Sequence, residues 1–403
     1  MNETAPRSER LGAWVRDNSR NPNAIAYAVL AVVAVLLPSV ASFVIPDQAN
    51  LLIDQAADAG VYVLMAIGLN VVVGFAGLLD LGYAAFFAIG AYTYAMLASS
   101  QLAQAPVHHA VHIPFWLLLF VGVFVAASFG VILGAPTLRL RGDYLAIVTL
   151  GFGEIVPRVF RNAGTWTGGV NAISAIDAPS LPAWLEGPWN NGQAFRVLRP
   201  FDFTSGSAIP WYILMLGLIL VAIILVRNLQ GSRLGRAWMA IREDEVAAAA
   251  MGINTRNVKL LAFAIGAATS GFAGAFYGAK LSLVSPENFS FIVSVTVLMM
   301  VVLGGMGNIP GVIVGAILIY FVEFKLLTDL PGWTVAVTDN IGLRGAHSTI
   351  SDFASRLNFL FLGLILVLTM LLRPQGLLPS RVRTQELHHA EHADLATTEG
   401  TTP

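Results

Sequence analysis

Residues 259–278 read KLLAFAIGAATSGFAGAFYG, and this stretch decides the class of fold. It is apolar over about the 20 residues that a helix needs to cross a bilayer core about 30 Å thick. Gly266, Ser270, Gly274 and Gly278 recur within it at intervals of four, which places them on one helix face. Small residues on such a face let two backbones approach closely in lipid. The stretch predicts a transmembrane helix whose small-residue face serves either general packing or a sliding motion during gating.

The rest of the chain has the composition of a membrane protein. Hydrophobic residues make up 56% and charged residues 12% of the 403 residues, and the mean hydropathy is +0.71. One soluble core cannot bury so much apolar surface at this length. We predict an all-α polytopic bundle of about eight to ten transmembrane segments, with glycine-rich broken or re-entrant helices. The predicted spans are residues 24–45, 51–75, 78–99, 113–135, 142–160, 210–227, 259–283, 289–305, 308–326 and 357–372.

The charge and the cysteine content of the chain exclude several classes of function. The net charge of −1 provides no basic field for nucleic acid, so no nucleic-acid partner is expected. The absence of cysteine excludes disulfides and thiolate chemistry. If the N-terminus is cytoplasmic, most of the 23 basic residues fall on the cytoplasmic side, as the positive-inside rule requires. We therefore predict that both termini are cytoplasmic.

This orientation predicts how the chain is divided. Residues 1–23 form a cytoplasmic tail, residues 24–375 a transmembrane domain, and residues 376–403 a disordered cytoplasmic tail. Within the transmembrane domain, residues 162–209 form a periplasmic loop and residues 228–258 a cytoplasmic loop. Asp80 falls at a predicted span boundary, which suggests a position at the membrane interface.

A second group of small residues lies near the end of the chain, at Gly304, Gly305, Gly307 and Gly311. Glycine and proline at membrane depth leave backbone groups unsatisfied unless protein or a cavity surrounds them. A packed turn near the transport path and an ordinary interfacial loop both fit this pattern.

The predicted cytoplasmic loop contains the stretch GSRLGRAWMAIREDEVAAAAMGINTRNVK, residues 231–259. Apolar side chains alternate there with charges, and an alanine run that ends near Gly252 predicts a short helix. By its pattern the segment is either a solvated surface helix or a docking element for another protein. Its candidate docking residues are Arg236, Arg242, Glu243, Asp244, Glu245 and Gly252.

Glu154 is an ionisable residue well inside a predicted span, which marks it as a candidate functional group. Arg158 follows one turn later, so a structural ion pair is the alternative. No glycine precedes a lysine, so the chain has no P-loop for ATP, and we expect no catalytic residue, metal site or cofactor of its own.

Five stretches carry a family resemblance: RGDYLAIVTLGFGEI (141–155), TGGVNAI (167–173), AIREDEVAAAAMGIN (240–254), KLLAFAIGAATSGFAGAFYG (259–278) and GGMGNIPGVIVGA (304–316). In this order they resemble LivM-type permeases of branched-chain amino acid ABC importers. A sixth stretch, LNVVVGFAGLLDLGYAAFFAIGAY (69–92), resembles a segment shared with the sister permease. Where the family usually has glycine after Asn171, this chain has Ala172.

The resemblance implies a permease in the bacterial inner membrane, in contact with the lipid bilayer. Its partners would be a paralogous permease, a periplasmic binding protein and two cytoplasmic ATPase subunits that bind ATP and Mg. The segment from Arg242 to Gly252 would dock on an ATPase. The candidate residues of the substrate pathway are Thr149, Glu154, Thr167, Gly168, Gly169 and Asn171.

Two alternatives remain at this point. Permeases for urea and short amides share the fold, so the substrate is less firmly indicated than the transport class. A self-contained secondary transporter needs no ATPase motif either, and dependence of uptake on a separate ATPase distinguishes it from an importer of the ABC class.

Overall fold

The computed structural model describes residues 22–104, 108–109, 111–138, 143–179, 203, 206–328, 332 and eleven residues between 360 and 378, namely 360, 363–365, 367–368, 371–372 and 376–378. Half of the predicted span 357–372, most of the loop 162–209 beyond residue 179, and most of both predicted tails lie outside the described residues.

The described residues are organised almost entirely as helices. In chain order these are α1 (Pro22–Val44), α2 (Ala49–Leu69), α3 (Tyr83–Leu97), α4 (Gln101–Gln104), α5 (Phe115–Thr137), α6 (Asp143–Asn162), α7 (Gly164–Thr167), α8 (Ile209–Gly231), α9 (Arg233–Glu243), α10 (Glu245–Ala250), α11 (Thr255–Leu281), α12 (Phe291–Gly304) and α13 (Ile309–Phe321).

Short elements complete these helices. A π-helical turn extends α2 over Asn70–Phe75, and another extends α13 over Val322–Leu327. The strands form two small antiparallel pairs: β1 (Ala98–Ser99) with β2 (Val111–His112), and β3 (Ile173–Ser174) with β4 (Leu283–Val284).

Within the described part of the chain, six helices are long and apolar enough to cross a membrane: Ile25–Val44, Pro46–Phe75, Phe115–Thr137, Ile209–Gly231, Thr255–Leu281 and Ile309–Leu327. Helices α3 and α12 are shorter apolar helices. The prediction of a polytopic helical membrane protein is confirmed. Helix α6 forms where a span was predicted but is not among the six, because its charged residues lower its hydropathy.

Helix α11 lies in the centre of the bundle, against α3 on one side and α5 on the other. Its small-residue stripe faces α3 and the end of α2. Ser270 Oγ donates to the carbonyl of Tyr83 over 3.4 Å, and a Cβ at Gly274 would lie 2.7 Å from the amide nitrogen of Ala91. The glycines therefore let the backbones of α3 and α11 touch, which a larger side chain would prevent.

The glycine-rich segment after α12 is a tight turn into α13. Gly305 and Gly307 have φ values of 111° and 85°, which glycine adopts at little cost. The amide of Gly307 donates to Asn70 Oδ1 over 2.8 Å, and both Asn70 and Asn308 are buried. The turn thus packs inside the protein, against the π-helical end of α2.

Residues 376–378 lie beside this turn, although the sequence predicted a disordered tail from residue 376 onward. The amide of Leu377 donates to the carbonyl of Leu303 over 2.8 Å, and Asn308 Nδ2 donates to the carbonyl of Leu378 over the same distance. These bonds attach the described part of the predicted tail to the end of α12.

Candidate functional site

Residues 232–253, here called the coupling segment, form two short helices rather than one. The hydroxyl of Ser232 caps α9 by accepting from the amides of Leu234 and Gly235. The carboxylate of Asp244 caps α10 by accepting from the amide of Val246 over 2.7 Å. Two good caps in a short stretch give the segment a defined shape. Gly252, whose φ is 86°, lies just after α10, where glycine readily allows a helix to end.

One face of the coupling segment is fastened to the membrane helices. Trp238 is fully buried, and its indole N–H donates to the carbonyl of Val258 over 2.8 Å. Arg242 Nη1 donates to the carbonyl of Gly74 over 2.6 Å, at the π-helical end of α2. Gly77 leaves the space that the Arg242 side chain occupies, since a Cβ there would lie 2.8 Å from Arg242 Cγ. The segment is therefore joined to the break between α2 and α3.

Glu245 also contributes to this inner face. Its carboxylate lies 2.6 Å from the ammonium of Lys259, which is buried at the start of α11. Glu245 and Arg242 were both predicted as docking charges. The structure shows that each of them contacts the chain's own membrane helices, so neither is simply a free charge on an outer surface.

The other face of the coupling segment is exposed. Met251 is 84% exposed and Val246 67%, which is unusual for apolar side chains outside lipid. Around them, four of the predicted docking residues are exposed as well: Arg236, Glu243, Asp244 and Gly252. The arrangement is an apolar centre with a polar rim, as in protein interfaces.

The predicted pathway residues on α6 lie apart from one another. Thr149 is buried, and its Oγ1 accepts from the amide of Leu81 over 3.0 Å. Glu154 lies 3.1 Å from Arg158, with both side chains largely exposed on this chain. Glu154 and Arg158 therefore form an ion pair between residues one helical turn apart.

The other predicted pathway residues, Thr167, Gly168, Gly169 and Asn171, form a turn beyond the end of α6. The hydroxyl of Thr167 donates to the carbonyl of Ala163 over 2.9 Å, and both glycines have positive φ. Thr149 precedes the end of α6 by 13 residues, or about 20 Å of helix. The structure therefore does not bring Thr149 and this turn together in one site.

Sequence reasoning missed a charged cluster between two membrane helices. The ammonium of Lys280 on α11 lies 3.0 Å from Asp54 and 2.5 Å from Asp58 on α2, and the lysine side chain is buried. Asp54 and Asp58 fall four residues apart within a predicted span. Because charges inside spans are rare and functional by default, that spacing was the available signal.

Asp80, which the sequence suggested would lie at the membrane interface, is instead buried inside the protein. It is 1% exposed, inside the protein, at the connection between the π-helical turn and α3. Its Oδ1 accepts from the amide of Gly82 over 2.9 Å. A carboxylate at this depth needs a partner, because an unpaired charge is costly to bury.

A bundle of apolar helices, with ionised groups buried between them and a capped helical segment fastened to a break in one span, defines a multi-pass membrane protein of the transport class. The chain belongs to the family described as branched-chain amino acid transport system / permease component, whose profile matches residues 51–372.

The chain is also similar to individual permease proteins for branched-chain amino acids. The chain is 41% identical over 333 residues to the high-affinity branched-chain amino acid transport system permease protein LivM of Escherichia coli K12, covering 81% of this chain and 70% of the relative. It is 27% identical over 266 residues to LivH of the same organism, covering 65% and 80%. It is also 27% identical over 277 residues to BraD of Pseudomonas aeruginosa, again covering 65% and 80%. No solved structure matches the chain.

Proposed function

We propose that this chain is the membrane-spanning permease subunit of an ATP-driven importer, and that it carries leucine, isoleucine and valine inward across a bacterial cytoplasmic membrane. The family and its relatives LivM and LivH, which are permease components for branched-chain amino acids, support this class and this substrate.

The proposed assembly contains more than this chain. A paralogous permease completes the membrane part, a periplasmic binding protein delivers the amino acid, and two cytoplasmic ATPase subunits bind ATP and Mg. The chain is similar to both LivM and LivH, two distinct permease proteins of one organism, which supports a pair of related permeases. In this arrangement both termini of the chain and its coupling segment face the cytoplasm.

The observation that carries the proposal is the two-sided coupling segment. Its exposed face presents Met251 and Val246 to a partner, while its inner face is fixed through Arg242 to the carbonyl of Gly74. A displacement of the exposed face by a bound ATPase subunit is therefore transmitted to the break between α2 and α3 without passing through a flexible loop. Such a rigid contact is what coupling of ATP hydrolysis to a membrane helix requires.

The test places a charge on the exposed face. Met251→Glu puts a carboxylate into the apolar centre of the proposed ATPase contact, where an unpaired charge costs several kcal/mol. We expect this variant to reach the membrane normally and to retain about a tenth or less of the ATPase subunits when the complex is purified. Val170→Glu is the matched control, since Val170 is an equally apolar residue that is 70% exposed in the turn beyond α6.

Binding-protein-stimulated ATP hydrolysis and leucine uptake are measured on the same preparations. If Met251→Glu retains the ATPase subunits and couples transport as the wild type does, the segment does not dock them. Uptake by the chain without any ATPase would instead favour a self-contained transporter.

A further inference from the structure

Asn70, the first residue of the π-helical turn that ends α2, is a polar side chain deep inside the bundle. It is 0% exposed, and the last turns of α2 before it are apolar and buried. Its Oδ1 accepts from the amide of Gly307 over 2.8 Å, whereas its Nδ2 has no hydrogen-bond partner among the described residues. A buried amide group with an unsatisfied donor costs free energy, so stability alone does not explain this asparagine.

Gly74 lies one turn after Asn70 and connects it to the coupling segment. Its carbonyl accepts from Arg242 Nη1 over 2.6 Å. A Cβ at Gly74 would overlap Asn70 Oδ1 and would lie 2.7 Å from the amide nitrogen of Gly307. No free space therefore separates the residue that holds Arg242 from the Asn70 side chain. A displacement of Gly74 has to displace Asn70, Gly307 or both.

The π-helical turn is the part of α2 that can change shape while the rest of the span stays helical. Such turns occur mostly singly within α-helices and frequently at functional sites. Here the amide of Ala76 donates to the carbonyl of Val71, five residues earlier, over 3.2 Å. The turn thus holds one residue more than an α-helical turn. Tightening it to α-helical hydrogen bonds shifts Gly74 relative to the preceding part of α2.

On the other side of Asn70, the turn between α12 and α13 can follow such a displacement. Gly305 and Gly307 have positive φ and carry no side chain that would have to leave its site. A Cβ at Gly304 would lie 2.6 Å from the Cα of Val312, so the backbones of α12 and α13 touch directly at this turn. A displacement of Gly307 therefore acts on both helices together.

We propose that Asn70 is a positioning residue that transmits the displacement of the coupling segment from α2 to the pair α12 and α13. The inference rests on the proposed function and extends it to a second pair of membrane helices. Arg242, Gly74, Asn70 and Gly307 form a continuous series of contacts from the coupling segment to the turn before α13. Such a series carries coupling only if its interruption changes the response at the far end, and two experiments measure this.

The first experiment measures leucine uptake per ATP hydrolysed by the complete transporter in lipid vesicles. Asn70→Ala removes the acceptor for the Gly307 amide and adds no bulk against Gly74. We expect the ATPase subunits to stay bound and ATP hydrolysis to continue, while uptake per ATP falls about tenfold or more. Retention of the ATPase subunits distinguishes this variant from Met251→Glu, which should lose them.

Ser294→Ala is the matched control. Ser294 is also fully buried, and its Oγ accepts from the backbone amide of Ala84 over 2.9 Å, a bond that joins α12 to α3. Each of the two changes leaves one buried amide without its acceptor, so both should lower the Tm of the purified chain by similar amounts. Only Asn70→Ala should lower uptake per ATP, because the bond of Ser294 is not part of the proposed series.

The second experiment does not depend on the folding of Asn70→Ala. Met306→Cys places the chain's single cysteine beside Gly307, at a half-buried position of the turn. In the assembled complex we expect a non-hydrolysable ATP analogue to change the rate at which a maleimide labels this cysteine about threefold or more. The additional change Arg242→Met removes the donor to Gly74 and keeps an unbranched side chain against Gly77, and it should abolish that difference.

Three results overturn the inference while the proposed function stands. The first is that Asn70→Ala carries as much leucine per ATP as the wild type, and the second is that Ser294→Ala loses as much as Asn70→Ala. The third is that the analogue leaves the labelling of Met306→Cys unchanged, or changes it equally with and without Arg242. If the wild-type complex shows no ATP-dependent uptake of leucine, the proposed function itself fails, and the inference fails with it.

Discussion

Ala172 adopts φ of 61° and ψ of 170°, a conformation that is essentially restricted to glycine. It follows Asn171 in the turn beyond α6. The side chain of alanine is strained in this region at a cost of about 1–3 kcal/mol.

Ala172→Gly should therefore stabilise the protein by about 1 kcal/mol, because relief of strain exceeds the entropy that glycine gains in the unfolded chain. The measurement is the Tm of the purified chain. Ala178→Gly is the control, since Ala178 is also half-buried but has no positive φ, and we expect it to lower the Tm. Equal destabilisation by the two changes would show that Ala172 is not strained.

At the scale of elements, the contact between α3 and α11 depends on single glycines. A Cβ at Gly274 would meet the carbonyl oxygen of Phe87 and would lie 2.7 Å from the amide nitrogen of Ala91. Both are backbone atoms, so no side-chain rotation relieves the overlap. The two helices have to separate if this position carries a larger side chain.

Gly274→Leu should therefore cost about 3 kcal/mol or more and reduce the yield of folded protein in the membrane. Phe272→Leu is the control, because Phe272 lies on the same helix, is only half-buried and is replaced by another apolar residue. Its expected cost is below about 1.5 kcal/mol. Size-exclusion chromatography of the detergent-solubilised variants measures the difference, and a normal elution profile for Gly274→Leu would mean that α3 and α11 do not pack closely.

At the scale of the whole molecule, the proposed orientation places the coupling segment and the turn beyond α6 on opposite sides of the membrane. Met251 and Val170 are the exposed apolar residues that mark these two places. The chain has no cysteine, so each introduced cysteine is the single reactive site.

We expect Val170→Cys to react with a membrane-impermeant maleimide in intact spheroplasts, and Met251→Cys to react only after the membrane is opened. The physical basis is the excess of basic residues on the cytoplasmic side. The cysteine-free wild type measures background labelling. Reaction of both variants in intact spheroplasts would contradict the orientation.

The sequence by itself determined the membrane class, the location of most spans, the small-residue stripe of α11 and the position of a helical segment between α8 and α11. These features are local. Lipid requires about 20 apolar residues in each spanning helix whatever its neighbours are, and a turn or cap needs only the residues that form it. The resemblance to the permease family rested on the same short stretches.

Only the tertiary structure decided which charges face inward. Arg242 meets the carbonyl of Gly74 across 168 positions of the chain, and Lys280 meets Asp58 across 222. The burial of Asp80 likewise depends on residues from three other helices. Periodicity identifies the face of a helix on which a charge lies, but the partner on that face comes from a distant helix, and that pairing is fixed only when the bundle packs.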